Sequence, residues 1–206
     1  VRKKSKGEYF IWHSDDDYLE NDYIEKCVSE FEKNEDLILV SGLCGFKKNG
    51  SEKIDHFGNI IKLDSSYRLF RIFSYLYNVM DNSIFCGIYR TKKIDKFIMP
   101  NVLAGDWIWL VQILSTGKAK VLTNTHIIRS YGDSVSSSYE SIVDVISAPK
   151  WNAKFPNIAI ISNFFKFFLK KNILLLATSC FTLLLKFLRS VFVFYIRSTL
   201  KKINIL

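Results

Sequence analysis

Two hydrophobic periods alternate along this chain. Tyr9-Phe10-Ile11-Trp12 is a short apolar, aromatic run of the kind a buried strand makes, and it ends in Ser14-Asp15-Asp16-Asp17. Beyond the acidic run, Tyr23, Ile24, Cys27, Val28 and Phe31 recur at helical spacing, with Asn21 or Asp22 placed as the cap and Glu25 as its capping-box partner. Leu37-Ile38-Leu39-Val40 predicts a short strand stopped by Ser41-Gly42, and the polar stretch Lys47 to Asp64 a loop or hairpin. Leu69, Ile72, Phe73, Leu76 and Met80 mark an amphipathic helix, and Ser83 to Tyr89 another strand. Asp106 opens a helix over Trp107 to Leu114, Gly117 closes it as the C′ residue, and Lys120-Val121-Leu122 returns to strand. The alternation predicts an α/β domain over residues 1–150.

From Ile158 onward the pattern changes to Ile, Leu, Phe and Val broken by Lys and Arg. Ile173 to Ile196 is long enough to span a bilayer, but Lys186 and Arg189 fall inside it. On a helical wheel Ser179, Thr182, Lys186, Arg189, Ser190 and Arg197 form one polar stripe, and Leu176, Phe181, Leu184, Leu185, Leu188, Phe192 and Tyr195 cover the rest. That division predicts an amphipathic helical tail, residues 151–206, lying in a membrane interface with its cations outward, with a spanning or re-entrant segment and a soluble helical hairpin as the alternatives.

Charge sharpens the division. The net charge is +9, yet no acidic residue follows Asp144, while ten Lys and Arg do. Removing those ten from 29 leaves 19 basic against 20 acidic residues, so the body is close to neutral and the basic balance belongs to the tail. This argues against nucleic acid as a partner and for an anionic membrane surface. Cys27, Cys44, Cys86 and Cys180 have no CxxC spacing and sit among apolar residues, as reduced core cysteines do. The chain carries no signal peptide pattern and begins with Val1, which suggests a fragment of a longer protein.

Three adjacent carboxylates behind a hydrophobic strand repel one another, and sharing a divalent cation relieves that repulsion. The acidic run therefore points to a metal-bound anion, most simply a metal–phosphate complex. The segment Gly7 to Leu19, followed by a helix with Tyr23-Ile24-Glu25, resembles the middle of a family 2 glycosyltransferase of the GT-A fold. Phe85-Cys86-Gly87-Ile88-Tyr89-Arg90 is similar to that family's strand with a Gly and an Arg on the acceptor side. Ala104-Gly105-Asp106-Trp107 resembles the acidic motif that holds the catalytic base, and Arg129-Ser130-Tyr131-Gly132-Asp133-Ser134-Val135-Ser136 the closing loop. The four motifs fall in the family's order over roughly residues 2 to 140.

The resemblance implies a Rossmann-like sheet with helices on both faces and a DxD-type loop for a nucleotide-sugar diphosphate, with the donor's base-binding strands lying upstream of this chain. It implies an inverting, Mn²⁺- or Mg²⁺-dependent sugar transfer to a surface glycan or lipid-linked acceptor in bacterial cell-surface polysaccharide synthesis, at the cytoplasmic face of the membrane. Asp15 and Asp17 could reach the ion or its waters, with Asp16 on the donor ribose. Arg90 and Arg129 are candidates to pair with diphosphate or acceptor charge, and Asp106 is the candidate base. Two positions depart from the family: Gly105 replaces the first acid of its Glu-Asp pair, and Ser14 stands where some members carry the first acid of the metal motif. A non-catalytic remnant or subunit of the same fold is the alternative. A phosphotransferase with an Asp nucleophile is disfavoured by Tyr18-Leu19 after the acids.

Overall fold

A computed structural model describes residues 4–131 and 138–202 of the chain. Its centre is a mixed sheet in the order β1-β5-β3-β6-β2, with the short β4 also on β3. These strands are β1 (Tyr9–Ile11), β2 (Tyr18–Leu19), β3 (Leu37–Lys48), β4 (His56–Phe57), β5 (Ile88–Arg90) and β6 (Lys118–Tyr131). The long central strands β3 and β6 run parallel, and every other pairing is antiparallel.

Helices cover both faces, as the α/β expectation requires. On one face α1 (Tyr23–Lys33) buries Tyr23, Cys27 and Phe31 against Val40, Cys44, Ile88 and Ile127. On the other, α2 (Arg68–Asn78) and α4 (Gly105–Leu114) bury Ile72, Leu76, Trp109 and Ile113 against Ile38, Leu39, Tyr89 and Ala119. A short α3 (Thr91–Ile94) follows β5, and α5 (Tyr139–Val145), α6 (Trp151–Lys154), α7 (Pro156–Phe168) and α8 (Ile173–Lys202) complete the chain. The cysteines are free thiols, three of them buried.

Several local expectations are corrected. The strand at Leu37 does not stop at Ser41-Gly42 but continues to Lys48. Gly42 is there for contact: a Cβ would lie 2.6 Å from the Thr125 carbonyl oxygen and 2.7 Å from Cε2 of Tyr23. The pressure comes from a bulge, since the register jumps from Gly42 opposite Leu122 to Leu43 opposite His126, so that Thr123, Asn124 and Thr125 fold outward from the ladder. Ser83–Cys86 is a 3₁₀ turn, and strand begins only at Ile88. Asp22 does not cap α1 with its side chain; its carboxylate instead accepts from Thr125 Oγ1 at 2.8 Å and pairs with Lys26 at 2.7 Å. Gly117 lacks the left-handed backbone of a C′ glycine and packs against Ile38.

The core crosses residue 150 without a break. Ala159, Ile160, Phe164 and Phe168 of α7, with Leu175, Leu176 and Leu183 of α8, belong to the same cluster as α2 and α4. The first half of the polar stripe of α8 faces the body, where small Ser179 and Thr182, both fully buried, let the helix approach closely, while Arg189, Ser190 and Arg197 of its second half are exposed. Its apolar side is exposed, with Phe181, Leu184, Leu188, Phe192 and Tyr195 outward. The cations-outward expectation fails at Lys186, which turns in onto the Trp107 ring; Arg189 lies over the Tyr77 ring yet stays exposed, as does Arg197. Ile173–Ser198 is the one stretch among the described residues long and apolar enough to cross a membrane.

Candidate active site

The β2–β6 pairing builds the first half of the site. Tyr18 lies opposite Ile128, so in an antiparallel ladder the preceding residue, Asp17, comes beside Arg129. Their side chains meet at 3.2 Å, with Asp17 only 2% exposed. The contact is an ion pair without a formed hydrogen bond: Asp17 Oδ2 and Arg129 Nε are buried and neither has a hydrogen-bond partner. Burial pushes the Asp17 carboxyl above its usual range, and the Arg129 charge works against that shift.

Asp15 and Asp16 stay exposed on the turn that leads into β2, and a hydrogen bond from Ser14 holds the Asp16 carboxyl below its usual range. No cluster of three metal-ligating side chains occurs among the described residues. The available donors are hard carboxylate oxygens, which suit Mg²⁺ or Mn²⁺. Such ions take one or two protein carboxylates and complete their shell with water and substrate phosphate. The residues present therefore fit a cation that arrives with a diphosphate.

Asp106 forms the second half. It lies in the first turn of α4, behind Ala104 in the left-handed region, and does not serve as the helix N-cap. Asn82 Nδ2 donates to its Oδ2 at 2.6 Å, and Tyr75 Oη donates to Asn82 Oδ1, also at 2.6 Å. Burial raises the Asp106 carboxyl above its usual range, with the Asn82 hydrogen bond opposing. Gly105 is dictated by the backbone, since a Cβ there would come within 2.1 Å of the Pro100 carbonyl oxygen.

Arg90 is elsewhere. It pairs with Tyr9 at the far end of β1 from the acidic loop, and its Nε and Nη2 donate to the Leu37 and Phe31 carbonyls at 3.1 and 2.6 Å. There it closes the C-terminal end of α1 and stacks on Phe31, an anchoring duty that leaves it out of the site. His126 is held by Glu20 at 2.9 Å. Of the closing loop, Arg129 to Tyr131 end β6, and Gly132 to Ser136 lie outside the described residues. Asn82 is the neighbour of Asp106 that the sequence pattern did not single out; its signal was the polar Asp81-Asn82-Ser83 break between helix and strand.

A family model described as glycosyl transferase family 2 matches residues 2–98, which include the acidic loop but neither Asp106 nor Arg129. Two solved structures of S. aureus TarS are similar. One, of residues 1–349, has a TM-score of 0.43 and 16% identity, covering 71% of this chain and 41% of that one. The other has the same score and identity, covering 76% of this chain and 29% of that one. The chain thus spans about two-fifths and under one-third of the lengths of these two solved chains. No curated protein matches. The stretch from the approach to β1 through α3 is thus the part of this chain that is similar to glycosyl transferase family 2.

Proposed function

We propose that the protein transfers a sugar, with inversion and metal dependence, from a nucleotide-sugar donor to a surface glycan or lipid-linked acceptor at the cytoplasmic face of a membrane. The observation that carries this reading is the pair of unsatisfied buried atoms, Asp17 Oδ2 and Arg129 Nε, set side by side under an exposed acidic turn. A cation–diphosphate supplies a partner to each: metal to the carboxylate, phosphate oxygen to the guanidinium. Asp15 and Asp17 would hold the ion, and Asp16 would meet the donor ribose. Mn²⁺ or Mg²⁺ bound there supplies Lewis-acid stabilisation of the departing diphosphate.

Asp106 is the proton acceptor. As the acceptor oxygen bonds to the anomeric carbon and the bond to diphosphate breaks, the hydroxyl proton passes to the carboxylate oxygen left free by Asn82. The raised affinity of this carboxyl for a proton suits that task. The exposed apolar side of α8, with Lys166, Lys170 and Lys171 exposed on α7 and at its turn into α8, supports membrane attachment.

The metal assignment is tested by titrating UDP- and GDP-sugars into the protein with Mn²⁺, Mg²⁺ or excess chelator, and by assaying sugar release. Binding and turnover should need the metal, and Asp17→Asn should lose most of both while remaining folded. Undiminished turnover in chelator overturns the assignment.

A further inference from the structure

A wide, open groove runs between α8 and the layer made by α2 and the start of α4. Lys186, Arg189 and Arg197 line it, and no acidic residue does. Lys186 Nζ donates to the Val79 carbonyl and stands 5.1 Å from the centre of the Trp107 ring, while the Arg189 guanidinium lies 5.0 Å from that of Tyr77. Among the described residues none of the three cations has a carboxylate within ion-pair distance. Burial, and after it repulsion from Arg189, lowers the Lys186 ammonium to about 8. Like charges gathered on aromatic walls with no counter-charge form a site that an anion completes.

Two neighbours define what kind of anion. Trp107, Tyr139 and Ile160 wall both this groove and the hollow containing Asp106, so a ligand seated on the cations has a short path to the proposed base. Val193 and Phe194 of α8 line the groove beside the cations and are exposed, so the same ligand can run a hydrocarbon chain along the helix. No residue of the acidic turn lines the groove, so the donor's diphosphate, placed at that turn by the proposed function, is a different ligand from the one the groove takes.

We propose that this groove binds the acceptor, and that the acceptor is an amphipathic phosphate whose anion rests on Lys186, Arg189 and Arg197 while its apolar chain follows α8. The word acceptor rests on the glycosyl-transfer reading; the preference for an amphipathic anion stands on the groove alone.

The test is calorimetry on the full chain in a neutral detergent, with farnesyl phosphate, farnesol and inorganic phosphate as probes. Farnesyl phosphate should bind at least about tenfold more tightly than either of the others, the weight of charge-assisted contacts added to chain burial. Arg189→Gln and Arg197→Gln, both at exposed positions, should each weaken farnesyl phosphate several-fold and leave farnesol unchanged. Vesicles containing phosphatidylglycerol separate a specific ligand from bulk headgroups: the two variants should bind them as the parent does. Equal affinity for farnesol or for inorganic phosphate overturns the proposal, as does a loss on vesicles matching the loss on farnesyl phosphate. Failure of farnesyl phosphate with metal-dependent nucleotide binding intact removes this inference and leaves the transferase reading standing. Farnesyl phosphate binding without any metal-dependent nucleotide binding removes the acceptor role.

Discussion

Asp106 is a carboxyl held buried at the expense of the fold, as the proposed base would be. Tyr75 fixes Asn82, Asn82 fixes one carboxylate oxygen, and burial makes the charged form unfavourable. A carboxyl that prefers its proton in the folded state loses stability for the protein as pH rises from the ordinary carboxylate range through the raised value. Asp106→Asn has no charge to bury and keeps an acceptor for Asn82. Its melting temperature at neutral pH should therefore equal or exceed that of the parent, with the difference vanishing in acid, while turnover falls by on the order of 100-fold. Parallel melting and rate measurements across pH check this. Early melting with normal turnover would reduce Asp106 to a structural residue. The residue types of this site were readable from the chain, but their partnerships were not. Arg90 and Arg129 look alike in sequence, and only the strand register sends one to the acidic loop and the other to the end of α1.

At the scale of elements, the bulge at Thr123 to Thr125 fixes that register. It sets the phase of β6 after Leu122, so Ile127 and Ile128 meet Leu19 and Tyr18, and Arg129 meets Asp17. It also carries Thr125 to Asp22 and presses its backbone onto Gly42, tying the entry of α1 to the strand. Gly42→Ala should cost about 1–3 kcal/mol, the usual penalty of an unaccommodated methyl in a packed site. A lowered denaturation midpoint with an unchanged slope would register it, and an unshifted midpoint would show the contact to be slack. The same packing explains why the strand was read too short. Leu37 to Gly42 is buried on both sides, so no alternation marks its length, and Ser41-Gly42 looks like punctuation when it is a point of close approach. Where one face alone is covered, as in α1 and α2, the helical period was plain, although Ile24 and Met80, read as part of those stripes, are exposed and Met80 lies beyond α2.

For the whole molecule the decisive relation is between the sheet and the last two helices. Ile72 and Leu76 of α2 face a core completed by Phe164, Phe168, Leu176 and Leu183. Deleting residues 157–206 uncovers that surface, so the shortened chain should aggregate and lose its near-ultraviolet dichroism; a soluble, cooperatively melting product would mark α7 and α8 as an appendage. The second half of α8 has another character, for every residue from Leu188 to Arg197 is exposed. Phe181, Leu184, Leu188, Phe192 and Tyr195 give α8 a hydrocarbon and aromatic surface whose affinity for lipid does not depend on ionic strength, beside exposed Arg189 and Arg197, whose attraction to anionic headgroups does. Under the membrane attachment proposed above, the apolar share should show in a cell fractionation: molar salt should release only part of the protein from the membranes, and the rest should leave when detergent dissolves the bilayer.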